Sequence, residues 1–84
     1  MKILLSSIAK NDIRLLMRVF NAEQEKKGID FLEDLKMSID CILQRPSAKS
    51  SEIAVNKMLN FPVNIHYVFE NEGNLFITAI FKED

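Results

Sequence analysis

Two periodicities divide the chain. Near its end, Val63, Ile65, Tyr67 and Phe69 fall on one face of an alternating run, with Asn64, His66 and Glu70 on the other. A period of two predicts a strand with one buried face. Residues 70–74, Glu-Asn-Glu-Gly-Asn, are polar and suit a hairpin turn, with Asn71, Gly73 or Asn74 at positive φ. Leu75 to Phe81 is apolar on both faces and predicts a better-buried strand with neighbours on both sides. This hairpin is expected at the centre of a small sheet.

Upstream the period lengthens. Ala9, Ile13, Leu16, Met17 and Phe20 form a helical stripe within residues 8–27, widened by Leu15 and Val19. Ser6 or Ser7 is placed to cap it. Positive charge at Lys26 and Lys27 suits a helix C-terminus, and Gly28 reads as its left-handed cap. A second helix is predicted over residues 30–44, on Phe31, Leu32, Leu35, Ile39, Ile42 and Leu43. Glu33 and Asp34 read as its first-turn carboxylates, and Glu33, Met37, Asp40 and Gln44 face solvent. Arg45-Pro46 closes it. So short a link makes the two helices an αα-hairpin.

The remaining pieces are short. Residues 2–5 predict a first strand that joins the sheet at its edge. Residues 47–51 predict a loop, the segment of the chain most prone to disorder. Residues 52–60 alternate and predict a further strand, and Phe61-Pro62 makes the corner into the next. The expected architecture is α+β, in the order β-α-α-β-β-β. A small antiparallel sheet carries an N-terminal αα-hairpin on one face, in a single domain of residues 1–84.

Composition excludes several function classes. With 84 residues, 48% of them hydrophobic and 27% charged, the chain suits one small folded domain. Residues 1–50 hold nine Lys/Arg and seven Asp/Glu, and residues 51–84 hold two Lys and five acids. No basic excess exists to drive binding to a phosphate backbone. Cys41 stands alone and reads as a buried structural thiol, so no internal disulfide forms. One His and one Cys do not make a tetrahedral zinc site, and no cofactor is implied. The opening apolar run breaks at Ser6-Ser7, too early for a signal peptide, and no stretch is long enough to span a membrane. A cytoplasmic location is the expectation.

His66 is the one side chain whose ordinary titration lies near neutrality. It reads either as an acid/base or phosphate-contact group or as an incidental surface histidine. Lys57 and Lys82 are expected to meet beside it on the sheet surface, as a small positive cluster or as two solvated lysines. Arg14 and Arg18, one helical turn apart, read as contacts for an acidic partner or as a solvated face. The long apolar sides of both helices, Leu16 and Phe20 included, read as a surface that a partner covers.

Several short motifs recur in the order of one family. They are Ala9-Lys10-Asn11-Asp12-Ile13, Phe31-Leu32-Glu33-Asp34-Leu35, Ile42-Leu43-Gln44-Arg45-Pro46, Phe61-Pro62-Val63-Asn64-Ile65-His66-Tyr67 and Ile77-Thr78-Ala79-Ile80-Phe81-Lys82. In this order the chain resembles the ParE/RelE superfamily of toxin–antitoxin toxins, which includes plasmid stabilisation proteins. The resemblance implies a toxin neutralised by a cognate antitoxin whose tail wraps the helical hairpin and the sheet. It implies either protein binding, as with a DNA gyrase target, or RelE-type cleavage of messenger RNA on the ribosome. Departures weigh against the ribonuclease. Only Lys57 stands on the strand before Phe61-Pro62, Val63 replaces an aromatic residue, and Lys82 stands where histidine is common. The basic tail of relatives is replaced by Glu83-Asp84, and a final segment that relatives carry is expected to be missing. The expected chemistry is therefore non-catalytic, with Lys57, His66 and Lys82 as the ribonuclease alternative. A non-toxic interaction module, as a homodimer, is the third reading.

Overall fold

The computed structural model describes residues 3–44, 54–70 and 74–83. The order is β1 (Ile3–Leu5), α1 (Ser7–Glu23), α2 (Lys27–Gln44), β2 (Ala54–Lys57), β3 (Val63–Phe69) and β4 (Leu75–Lys82). This is the expected β-α-α-β-β-β fold. The sheet order is β1-β4-β3-β2, so the β3–β4 hairpin is central, as its pattern indicated. The sheet is mixed rather than wholly antiparallel, because β1 runs parallel to β4 while β2–β3 and β3–β4 are antiparallel. The expected loop at residues 47–51, the Arg45-Pro46 stop and the turn residues Asn71 and Gly73 lie outside the described residues.

Ser6 caps α1: its Oγ accepts from the Ala9 N–H at 2.9 Å and donates to the Thr78 carbonyl at 2.7 Å. Asp12, one turn on, accepts from the Ile80 N–H at 3.0 Å. Between these two contacts β4 carries a β-bulge, because Tyr67 pairs with Ile77 and His66 with Ala79, skipping Thr78. A bulge leaves a ladder group without its strand partner. Ser6 and Asp12 supply bonds from the helix side, and the Thr78 hydroxyl donates to the His66 carbonyl at 3.1 Å. Ala9 is fully buried beneath this contact.

The connection between the helices differs from expectation. α1 stops at Glu23, and the left-handed residue is Lys26, at φ 66°, instead of Gly28. Gly28 lies in the first turn of α2, packed against α1. A Cβ there would stand 2.7 Å from Asn21 Oδ1 and 2.8 Å from the Met17 carbonyl oxygen. The Gly28 N–H also donates to Asn21 Oδ1 at 2.8 Å. This glycine allows close helix approach instead of a positive φ. Gly28→Ala is therefore expected to destabilise by roughly 1–3 kcal/mol, overriding its gain in helix propensity. Lys26→Gly is expected to stabilise by about 0.5–1 kcal/mol by relieving the left-handed strain. Urea titration of both variants checks this, and a stabilised Gly28→Ala would contradict it.

The core lies between the helical hairpin and one sheet face. Phe20, Phe31, Ile42, Val63, Ile65, Leu75, Ile77 and Ile80 are at most 2% exposed. Phe20, Phe31 and Phe61 form an aromatic triangle with centroids 4.9–5.7 Å apart. Phe61 thus fastens the corner before β3 to both helices. The same corner is held by Asp34, which is 4% exposed and not a first-turn carboxylate, because α2 begins at Lys27. Its Oδ2 accepts from the Asn60 N–H at 3.0 Å and its Oδ1 from Asn60 Nδ2 at 2.8 Å. Ser38, fully buried one turn on, accepts from the Leu59 N–H at 3.3 Å. Strand β2 ends at Lys57, short of the expected residue 60, because these bonds turn the backbone away from the ladder there, while residues 52–53 lie outside the described residues.

Candidate functional site: an open sheet face

Opposed residues in a ladder point to the same face. The register therefore sorts the sheet into two sides. Val63, Ile65 and Tyr67 share the helix side with Ile77, Ile80 and Lys82. Asn64, His66 and Val68 share the other side with Phe76, Ala79 and Phe81. Val55 and Lys57 join that second side from β2, and Leu4 joins it from β1. No element among the described residues covers this second side. Sheets with one wet face are expected to be polar there. Here Leu4 is 41% exposed, Val55 55% and Phe81 52%, while Val68, Phe76 and Ala79 are half-buried. The strand expected to be buried on both faces is thus covered on one, and its second apolar row forms an open surface.

His66 lies in this surface, half-buried, with its ring edge-on to Phe81 at 4.9 Å. Lys57 stands at the rim, 65% exposed, and pairs with Glu83 at 3.5 Å. Lys82 does not join them. It faces the helices, where its Nζ lies 3.6 Å from Glu23 and 5.6 Å from the Phe20 ring centroid. The strand alternation at 82/83 sends Glu83, not Lys82, to the side of Lys57 and His66. The structure therefore places two of the three expected residues on one face and the third on the opposite one. The Glu83 carboxylate beside Lys57 reduces the net positive charge at that position.

Lys27 completes the other charged group. It donates to Glu23 at 2.9 Å and lies 5.4 Å from the Phe20 centroid. That hydrogen bond is the main reason the Glu23 carboxyl titrates below its ordinary value, with the charges of Lys27 and Lys82 adding to it. The resulting stabilisation is complete above the unfolded chain's value of about 4.5 and is lost as the pH falls through the lowered folded value.

The four residues expected to contact a partner also separate. Leu16 and Phe20 are 8% and 1% exposed and belong to the core, so their side chains offer no surface. Arg14 and Arg18 are exposed. Apolar exposure on α1 lies instead at Ile8, Leu15 and Val19, which are 62%, 47% and 41% exposed. Their spacings of seven and four put them on one flank of the helix. The core stripe and this flank adjoin on the helical wheel, so periodicity merges them. Cys41 is half-buried, not buried. A groove of about 270 Å³ opens beside the edge strand β1, lined by Ile3, Leu5, Ile13, Leu32, Leu35 and Ile39, with Lys36 and Asp40 also lining it.

Among the described residues no group of three His, Cys, Asp or Glu is arranged to hold a metal ion. No helix among them is long and apolar enough to cross a membrane. The surface can bind apolar groups, with one histidine and one ion pair to orient them.

No family model matches the sequence, and no curated protein matches it. A solved structure does match in shape. It is a chain of the "Chromosomal ParDE TA system from P. aeruginosa", with a TM-score of 0.79 and 13% identity over 100% of this chain and 97% of that one. At that identity the likeness establishes architecture, and the chain has the fold of a ParDE toxin–antitoxin system chain.

Proposed function

We propose that this chain is the toxin component of a ParDE-like toxin–antitoxin pair, acting by binding a protein target and neutralised by a cognate antitoxin. The observation that carries the reading is the uncovered apolar sheet face at Leu4, Val55, Val68, Phe76 and Phe81. An apolar patch without a covering element is characteristic of a protein interface. The fold shared with a ParDE system chain supports an antitoxin as the partner. The antitoxin covers this face, and its tail reaches the groove beside β1. A gyrase-type target competes for the same surface. The RelE-type reading is the weaker one, because Lys82 lies across the sheet from His66 and Lys57 is paired with Glu83. Catalysis at a 2′-hydroxyl needs proton-transfer and phosphate-stabilising groups converging on one point.

Induced expression in a bacterial host tests this. DNA synthesis is expected to fall before protein synthesis. Val55→Glu/Phe81→Glu is expected to abolish arrest while leaving the thermal unfolding transition in place, since both side chains are about half exposed. Lys57→Ala, His66→Ala and Lys82→Ala are expected to retain arrest. Prior loss of protein synthesis, with arrest relieved by His66→Ala, would establish the ribonuclease reading instead. Unimpaired growth with folded protein present would remove the toxin reading altogether.

A further inference from the structure

We infer that the outer face of the helical hairpin is a self-complementary electrostatic interface through which two copies of this chain associate. This inference is independent of the function proposed above. On α1, Lys10, Arg14 and Arg18 are exposed at spacings of four and lie away from the buried stripe Ala9–Leu16–Phe20. On α2, Glu33 and Asp40 are exposed and lie opposite the buried stripe Phe31–Leu35–Ser38–Ile42. The outside of the hairpin is thus basic along one helix and acidic along the other, with Lys36 a single offsetting cation on α2. Among the described residues, none of Lys10, Arg14, Arg18, Glu33 and Asp40 forms an ion pair. Leu15, Ile29 and Met37 flank these charges, at 47%, 52% and 56% exposure.

The spacing along the helices makes the two stripes match. α1 ends at Glu23 and α2 begins at Lys27, so levels can be counted from their connection. At about 1.5 Å per residue, Arg18 and Glu33 lie roughly 7–9 Å from it, and Lys10 and Asp40 both roughly 20 Å. A two-fold axis parallel to the helices, lying between two facing hairpins, preserves these levels. It sets α1 of one copy over α2 of the other. Arg18 then faces Glu33 of the second copy and Lys10 faces its Asp40, twice each by symmetry. At the level between them, roughly 13–14 Å from the connection, Arg14 meets Lys36 of the second copy, and this like-charge contact offsets part of the attraction. All neighbouring helices are antiparallel, the arrangement of a four-helix bundle. The perpendicular in-plane axis would set α1 on α1, basic on basic, and is disfavoured. The contact buries roughly 500 Å² per copy, from two helices about 26 Å long and about 10 Å wide. Stable complexes bury about 800 Å² per partner, so this dimer is weak and salt-sensitive. Each copy keeps its open sheet face outward, at opposite ends of the assembly.

Sedimentation equilibrium of the full chain over 10–500 μM tests this. Dimerisation is expected in about 50 mM salt, with at least a tenfold weaker association in about 500 mM salt. Lys10→Glu/Arg18→Glu makes both helices acidic, and Glu33→Lys/Asp40→Lys makes both basic. Each variant alone is expected to be monomeric. Their equimolar mixture is expected to form a one-to-one heterodimer, because each acidic helix again meets a basic one. A monomeric wild type in low salt overturns the proposal. So does a dimer that survives either charge reversal, or one abolished by Val55→Glu/Phe81→Glu, which would place the contact on the open sheet face. Failure of the two folded variants to associate on mixing overturns it as well.

Discussion

Phe20→Ala is expected to lower the stability of the folded chain by about 3–5 kcal/mol, more than truncation of any other side chain on α1. Phe20 is 1% exposed and touches both other rings of the aromatic triangle, at 5.2 Å and 4.9 Å between centroids. Removing it leaves a cavity at the junction of α1, α2 and the corner before β3. It also removes the ring over which Lys27 and Lys82 stand. For so small a domain this loss approaches the whole stability, which is typically 5–15 kcal/mol. Phe20→Leu keeps most of the volume and is expected to remain folded, with a midpoint shifted by a smaller amount in urea. Leu15→Ala, 47% exposed on the same helix, is expected to change stability by no more than about 0.5 kcal/mol. Equal effects at positions 15 and 20 would show that the side of α1 facing the core has been misidentified.

The second large effect is expected at Asp34. Both of its carboxylate oxygens are used, on the N–H and the side-chain amide of Asn60. Hydrogen bonds to an ionised group contribute about 1.5–3 kcal/mol each, and stripping the acceptor leaves a donor in a part-buried corner. Asp34→Ala is expected to cost roughly 2–4 kcal/mol. Hydrogen exchange at the Asn60 amide should speed up more than at the amides of β3, because the corner loosens before the sheet does. Asn60→Ala removes the partner amide but keeps its backbone N–H, and should cost less than half as much. Unchanged exchange at residue 60 in Asp34→Ala would refute a pinning role.

These two residues also mark what the sequence discloses and what it withholds. The elements are legible because each carries its own period: two in β3 and 3.6 in both helices. The central position of the hairpin follows from β4 being apolar on both faces. That same feature misleads on burial, because an apolar face says nothing about whether an element exists to cover it. Phe20 lies within the core stripe, yet the adjoining row Ile8, Leu15 and Val19 makes the whole side of α1 look available to a partner. Asp34 resembles a dipole-stabilising carboxylate because its partner lies 26 positions away, beyond any local pattern. Gly28 resembles a helix cap because α2 starts earlier than its apolar stripe does. Lys82 groups with His66 in the sequence because residues of paired strands seem near in space, although the strand's alternation separates them by the thickness of the sheet. The Phe61-Pro62 pair signals a corner, but its anchoring on Phe20 and Phe31 is a contact between elements and carries no sequence signature.

The position of β4 has a consequence for how the chain is made. It is the last of the six elements in chain order, yet it lies between β1 and β3 and receives the bonds from Ser6 and Asp12. A chain that lacks β4 has β1 with no strand to pair with and α1 with no bulge to clasp. Contacts spanning 68 and 72 positions must then close at once. Folding is thereby postponed until translation has passed β4. During that interval the apolar rows of both helices and of β3 are bare together. A chain cut short before β4 is expected to leave these rows exposed and to remain unfolded.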